Sequence, residues 1–232
     1  MTTIGFIGSG NIGSTVARLA VDAGYDVVLS NSRGPGTLHD LVEDLGPHAR
    51  AAADDAAAAG DLVVVTVPLR AVQDVPAEPL RGKVVIDTCN YYPRRDDHVA
   101  ELDDESTTTS ELVRRHLAGS SVVKAFSNIS SVHLGTLARP SGSPDRSVLP
   151  LAGDDTGAKA EVTAFLDSIG YDAYDVGPLA EGWRFQRDTP AYAGLYNGDT
   201  SGTWPPPEDS GVRVTEDTLK QKLAVARRYA EM

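Results

Sequence analysis

The stretch "IGFIGSGNIGSTVARLAVDAGYDVVLSNSRG", residues 4–34, decides how this chain reads. Residues 3–7 form a short apolar run that predicts a strand. Behind it, Ile12, Val16, Leu19, Ala20 and Ala23 share one face of a helix over residues 11–23, with Gly24 placed to end it. Residues 25–30 return as a strand around Val27, Val28 and Leu29. Strand, glycine turn, helix and strand in this order begin a right-handed parallel crossover. Gly8, Gly10 and Gly13 have G-x-G-x-x-G spacing, a weak signal alone but a specific one between a strand and a helix. Gly8 permits the tight turn, Gly10 lets the backbone approach a pyrophosphate, and Gly13 allows close helix packing. The helix start adds free N–H groups for phosphate oxygens. Residues 8–13, with Ser9, Asn11 and Ile12 between the glycines, are therefore predicted to bind a dinucleotide.

The tip of the second strand selects which dinucleotide. Asn31 stands 18 residues after Gly13, close to where an NAD-binding fold carries the acid that reads a bare ribose. This chain has Asn31, Ser32 and Arg33 instead. A hydroxyl and a guanidinium suit a 2′-phosphate, which a carboxylate would repel. The reading is NADP(H), not NAD(H).

The alternation continues along the chain. The alanine-rich residues 51–60 predict a short covering helix, and "DLVVVTVP" (61–68) predicts a parallel strand buried on both faces. "KVVIDTCN" (83–90) and "SVVKAFSN" (121–128) are two more such strands. Thr108 and Glu111 have capping-box spacing, "SVLPLAGD" (147–154) and "YDAYDV" (171–176) read as late strands, and Val162, Phe165, Leu166 and Ile169 mark a helix closed by Gly170. The fold class is a doubly wound α/β domain with a mostly parallel, Rossmann-type sheet. After residue 176 aromatic, proline and glycine residues mix, and a last helix from about Thr215 carries Leu219, Leu223 and Ala226 on one side. The expected division is residues 1–176 as the NADP-binding domain and residues 177–232 as a loop-and-helix appendage. A second subunit is one candidate to cover that last helix.

Composition narrows the classes. Of 232 residues, 41% are hydrophobic, enough for a real core, while a net charge of −12 argues against nucleic-acid or anionic-membrane partners. No run approaches a membrane span, and a strand pattern starting at Thr3 leaves no room for a secretory leader. With Cys89 as its one cysteine, the chain fits a reducing cytoplasmic setting. Its histidines (His39, His48, His98, His116, His133) have no zinc-like spacing, so no metal site is predicted.

Further stretches carry a resemblance: "GFIGSGNIG" (5–13), "SNSRGP" (30–35), "VVVTVPLRAV" (63–72), "VIDTCNYYPRRD" (85–96), "VVKAFSNI" (122–129) and "LAEGWRFQ" (179–186). Together they resemble the F420-dependent NADP oxidoreductases, which reduce the deazaflavin coenzyme F420 with NADPH. The resemblance implies direct hydride transfer between nicotinamide and deazaflavin, without metal or covalent intermediate, in a homodimer. It implies that Thr66, Val67 and Pro68 pass along the cofactor, that Ala125 to Asn128 approach the nicotinamide, and that the segment around Ser131 meets the redox face. The family often has Asn where this chain has Cys89 and where it has Ser127.

Hydride transfer mainly needs two rings held in attack geometry. Catalytic residues therefore stay unassigned, with Asn128 a candidate for fixing the nicotinamide carboxamide and His133 a candidate proton donor. The expectation for His133 is a solvent-facing helical position. Lys124 suits either a phosphate or an acid, and residues 91–97, "YYPRRDD", read as a turn with two exposed arginines. The alternatives are an NADPH-dependent imine or carbonyl reductase, with His133 or Tyr192 as acid, and a non-catalytic NADP(H)-binding sensor.

Overall fold

A computed structural model describes residues 2–198 and 203–229. Residues 199–202 and 230–232 of the expected appendage lie outside the described residues. The strands are β1 (Thr3–Ile7), β2 (Asp26–Ser30), β3 (Ala49–Ala51), β4 (Leu62–Val65), β5 (Val84–Asp87), β6 (Ser121–Lys124), β7 (Val148–Gly153) and β8 (Asp172–Asp175). They form an eight-stranded sheet in the order β3-β2-β1-β4-β5-β6-β7-β8. Every neighbouring pair is parallel except β6 and β7, which pair antiparallel through Val123 with Gly153 and Lys124 with Ala152. This is the doubly wound, mostly parallel sheet that the sequence predicts.

The helices are α1 (Asn11–Asp22), α2 (His39–Leu45), α3 (Asp54–Ala57), α4 (Pro93–Asp96), α5 (Ala100–Asp103), α6 (Thr109–His116), α7 (Ser131–Thr136), α8 (Thr156–Ser168) and α9 (Glu216–Ala224). Successive side chains of a strand point to opposite faces, so the apolar run of β4 serves two cores. Leu62 and Val64 pack with residues of α1 and α8, whereas Val63 and Val65 join Val72, Val113 and Leu117 on the other face. The capping box forms as expected: Glu111 N–H donates to Thr108 Oγ1 at 3.2 Å, and Thr108 N–H donates to Glu111 Oε2 at 2.9 Å. The alanine-rich helix shrinks to the single turn of α3, and the sequence reading omitted both α2 and β3.

The chain beyond β8 packs on the same sheet. A 3₁₀ segment, Leu179–Phe185, buries Leu179 and Phe185, and Tyr196 is fully buried. Its hydroxyl donates to Val148 O of β7 at 2.9 Å and accepts from Asn128 Nδ2 at 3.2 Å. Leu219 and Leu223 of α9 join the core cluster that includes Val148 and Leu149. That corrects the suggestion of a second subunit over this helix, because its apolar side is already covered by its own chain. Among the described residues no helix is long and apolar enough to cross a membrane.

Replacing Tyr196 with Phe should destabilise the protein by about 1–3 kcal/mol, the usual cost of stripping a buried polar group of its partner. Denaturant unfolding measures it, and a variant as stable as wild type would show that apolar packing alone holds this segment.

Candidate active site

Strands β2 and β4 leave opposite sides of β1, so the sheet order reverses there, the position at which doubly wound sheets bind ligands. A cleft of about 500 Å³ lies across the carboxyl ends of β1, β4, β5 and β6. Its first wall is the glycine loop. Gly8 has φ +102°, its N–H donates to Ser30 O at 3.1 Å, and a Cβ there would lie 2.4 Å from Thr66 O. A Cβ on Gly13 would come within 2.5 Å of Gly8 O, whereas one on Gly10 would meet nothing within 4 Å. Gly10 caps α1 without any side-chain hydrogen bond, so the helix presents bare N–H groups to that open space. This cradle fits a pyrophosphate, which needs backbone approach and anion-binding amides together.

Gly10, Asn11, Ile12, Thr66, Val67 and Pro68 line the cleft, while Gly8 and Gly13 shape it from beneath and Ser9 sits half-buried in the loop. Beyond the cleft, Asn31 organises the turn after β2. Its Oδ1 accepts from Arg33 N–H at 3.0 Å, and its Nδ2 donates to Thr37 Oγ1 at 3.0 Å. Ser32 and Arg33 are exposed beside it. Asn31 therefore fixes a turn that leaves a hydroxyl and a guanidinium facing solvent.

The opposite wall comes from β5, β6 and the C-terminal segment. Beneath it lies a closed polar network. Asp87 accepts from Cys89 N–H at 2.8 Å and from Ser110 Oγ at 2.5 Å. Lys124 Nζ stands 3.9 Å from Asp87 and donates to Cys89 O at 2.8 Å and Thr109 Oγ1 at 3.2 Å. Lys124 thus pairs with an acid inside the fold and does not face a phosphate; burial lowers the pKa of its ammonium. Burial, reinforced by Asp87, pushes the Cys89 thiol well above its ordinary range.

The arginines of residues 91–97 depart from expectation. Arg94 is exposed, but Arg95 is half-buried and forks onto buried Asp96 at 2.9 and 2.8 Å. Its guanidinium also donates to Asn90 O at 2.8 Å and lies 4.6 Å over the Tyr92 ring. Burial opposes ionisation of Asp96, yet this fork and the Tyr92 and Arg70 N–H groups hold its carboxyl below the usual range. Tyr92 and Tyr192 share a hydroxyl–hydroxyl hydrogen bond of 2.8 Å at the cleft, and burial raises the Tyr192 phenol.

Residues 3–91 match the family model for NADP oxidoreductase, coenzyme F420-dependent. The match runs from β1 to just past β5 and includes the glycine loop, Asn31 to Arg33, and Thr66 to Pro68. It supports an NAD(P)-dependent oxidoreductase family. A hypothetical protein from Sinorhizobium meliloti, SMa0349, is similar at 29% identity over 83% of this chain and 94% of its own, with a TM-score of 0.72. A candidate F420-dependent NADP-reductase from Arthrobacter sp. FB24 shares the fold at 24% identity over 77% of this chain and 86% of its own, with a TM-score of 0.64. So does a reductive aminase from Aspergillus terreus, solved with NADPH and ethyl-5-oxohexanoate, at 18% identity over 78% of this chain and 56% of its own, with a TM-score of 0.55. No curated protein matches the sequence.

Other expected residues lie away from the cleft. Ala125 and Asn128 are fully buried and do not line it. Asn128 Nδ2 instead donates to Ala191 O at 3.0 Å and to Tyr196, so it ties the C-terminal segment to β6. His133 is not solvent-facing: it is fully buried, with Nε2 3.1 Å from both Pro207 O and Ser210 Oγ. The loop around 207–210 covers it, which the helix alone could not reveal. Of residues 125–128, expected near the nicotinamide, Phe126 and Ser127 do line the cleft, and so do Asn90, Tyr92, Arg95 and Trp204, which carried no such expectation. The available signal was position, since most of them follow the carboxyl ends of β5 and β6.

Because the Cys89 pKa is raised, thiolate is scarce at neutral pH and the thiol should be unreactive. Ellman's reagent at pH 8 should label folded protein slowly and unfolded protein fast. Rapid labelling of the folded protein would show Cys89 to be an activated thiol.

Proposed function

We propose that the chain binds NADP(H) across the sheet ends and exchanges hydride with the deazaflavin coenzyme F420. The observation that carries the cofactor reading is the exposed Ser32–Arg33 pair at the tip of β2, reached from an uncapped α1 N-terminus. In this reading residues 1–176 hold the cofactor, with pyrophosphate on residues 8–13 and the 2′-phosphate on Ser32 and Arg33. Thr66, Val67 and Pro68 border its path. From the expected appendage, residues 177–232, Tyr192 and Trp204 border the second ligand. When bound, NADPH supplies the hydride; the residues of the chain bind, orient and exclude water.

Two observations support a deazaflavin over a carbonyl or imine. His133 lies outside the cleft, which removes one of the proton donors that such a reduction requires. Tyr92, Tyr192 and Trp204 give the cleft an aromatic side, and Trp204 is 65% exposed, a flat surface for a conjugated ring. Tyr192, which also lines the cleft, favours the second reading, an NADPH-dependent carbonyl or imine reductase, in which its hydroxyl would be the acid. The homodimer implied by the family would have Trp204, Val212 and Val225 as exposed apolar side chains to cover.

Mixing protein, NADPH and oxidised F420 should bleach the deazaflavin absorbance; NADPH binding without turnover at any pH would reject F420 as acceptor. Replacing Arg33 with Ala should weaken NADPH binding by about ten- to a hundredfold, the value of a charge-assisted phosphate contact, and leave NADH binding nearly unchanged. Equal losses for both cofactors would place Arg33 away from the 2′-phosphate. Tyr192→Phe should preserve hydride transfer to F420. A loss of about 10²–10⁴-fold would identify Tyr192 as a general acid and show that the reaction needs a proton donor as well as positioning.

A further inference from the structure

Asn128 was the side chain expected to hold the nicotinamide amide, but its Nδ2 is engaged with Ala191 and Tyr196 inside the core. Its neighbour is placed differently. Ser127 lines the cleft, is 4% exposed, and its Oγ has no hydrogen-bond partner among the described residues.

The backbone at Ser127 is fixed from two sides. Phe126 takes φ +60°, a left-handed conformation unfavourable for a bulky residue, and its buried ring packs edge-on against Phe165 at 6.4 Å. From the cleft side, Asn90 Nδ2 donates to Ser127 O at 2.7 Å, and Asn90 Oδ1 accepts from Arg187 N–H at 3.3 Å. Strain of this kind persists only where the surroundings over-determine it, and it concentrates at ligand sites. The turn puts residue 127 on the cleft and returns residue 128 to the core. A hydroxyl shielded from water and left unpaired costs free energy comparable to a hydrogen bond. Rotation about a single bond, between staggered wells, redirects Oγ while the backbone stays fixed.

The direction of the cleft says what would meet it. With the 2′-phosphate at the tip of β2 and the pyrophosphate at α1, the rest of a dinucleotide extends across β4 and β5 towards β6. Ser127 stands at that far end, immediately beyond β6. A nicotinamide carboxamide offers both an acceptor oxygen and a donor NH₂, and a hydroxyl can pair with either.

We infer that the Ser127 hydroxyl hydrogen-bonds the nicotinamide carboxamide of NADP(H) and fixes the orientation of the ring, an assignment that rests on the NADP(H) reading above. Calorimetric titration with NADPH and with 2′,5′-ADP, which keeps the phosphorylated adenosine but lacks the nicotinamide, tests it in wild type and Ser127→Ala. The substitution should weaken NADPH binding about three- to tenfold and leave 2′,5′-ADP binding unchanged. An equal loss for both ligands would show a general effect on the fold and overturn the assignment, as would unchanged NADPH affinity. Failure of 2′,5′-ADP to bind wild type would instead reject the cofactor reading itself.

Discussion

The contact between Gly8 and the Thr66 carbonyl is the one on which the rest of the structure depends. Any side chain at position 8 would collide with that carbonyl at 2.4 Å, and Gly13 in turn abuts the Gly8 carbonyl. The turn out of β1 can therefore lie flat against the end of β4. This close approach starts α1 at the reversal of strand order, with its N–H groups facing the cleft and no side chain competing for them. The glycine spacing is thus a packing requirement first, and an anion site as its consequence.

A second constraint holds the opposite wall. Asp87 and Lys124 end adjacent strands, and both are buried. Their hydrogen bonds fix the Cys89 backbone on both its N–H and its C=O and tie in the start of α6. Gly182 passes close over the lysine stem, where a Cβ would lie 2.8 Å from Cδ. One sealed network thereby links β5, β6, α6 and the C-terminal segment directly below the cleft. Buried charges in such a network are costly unless every partner is present, so their arrangement restricts how this wall can move.

The parts of the fold legible in the sequence were those governed by local pattern. The apolar runs of β1, β4, β5 and β6, the α1 periodicity and the Thr108–Glu111 box all appear where their residues predict. α2 carried its own signal in Leu41, Val42 and Leu45, with Leu38 just ahead of it, obscured by the preceding Gly34, Pro35 and Gly36. β3 has only Ala49, Arg50 and Ala51 and gains its conformation from pairing with β2, not from propensity. At the site, the glycine loop and the Ser32–Arg33 position were readable because a short motif encodes them. Asn128 and His133 were not, because their partners Ala191 and Pro207 are brought in by tertiary folding, whereas Arg95 pairs locally with Asn90 and Asp96 once the turn of α4 buries that carboxylate. Ser127 reaches the cleft through a backbone reversal at Phe126 that nothing in the residue types announces.

A crystal structure with NADP⁺ tests the central claim most directly. The 2′-phosphate should lie against Ser32 and Arg33, the pyrophosphate at the start of α1, and the nicotinamide at the carboxyl ends of β5 and β6. A dinucleotide bound with its phosphorylated ribose away from β2, or outside this cleft, would contradict it.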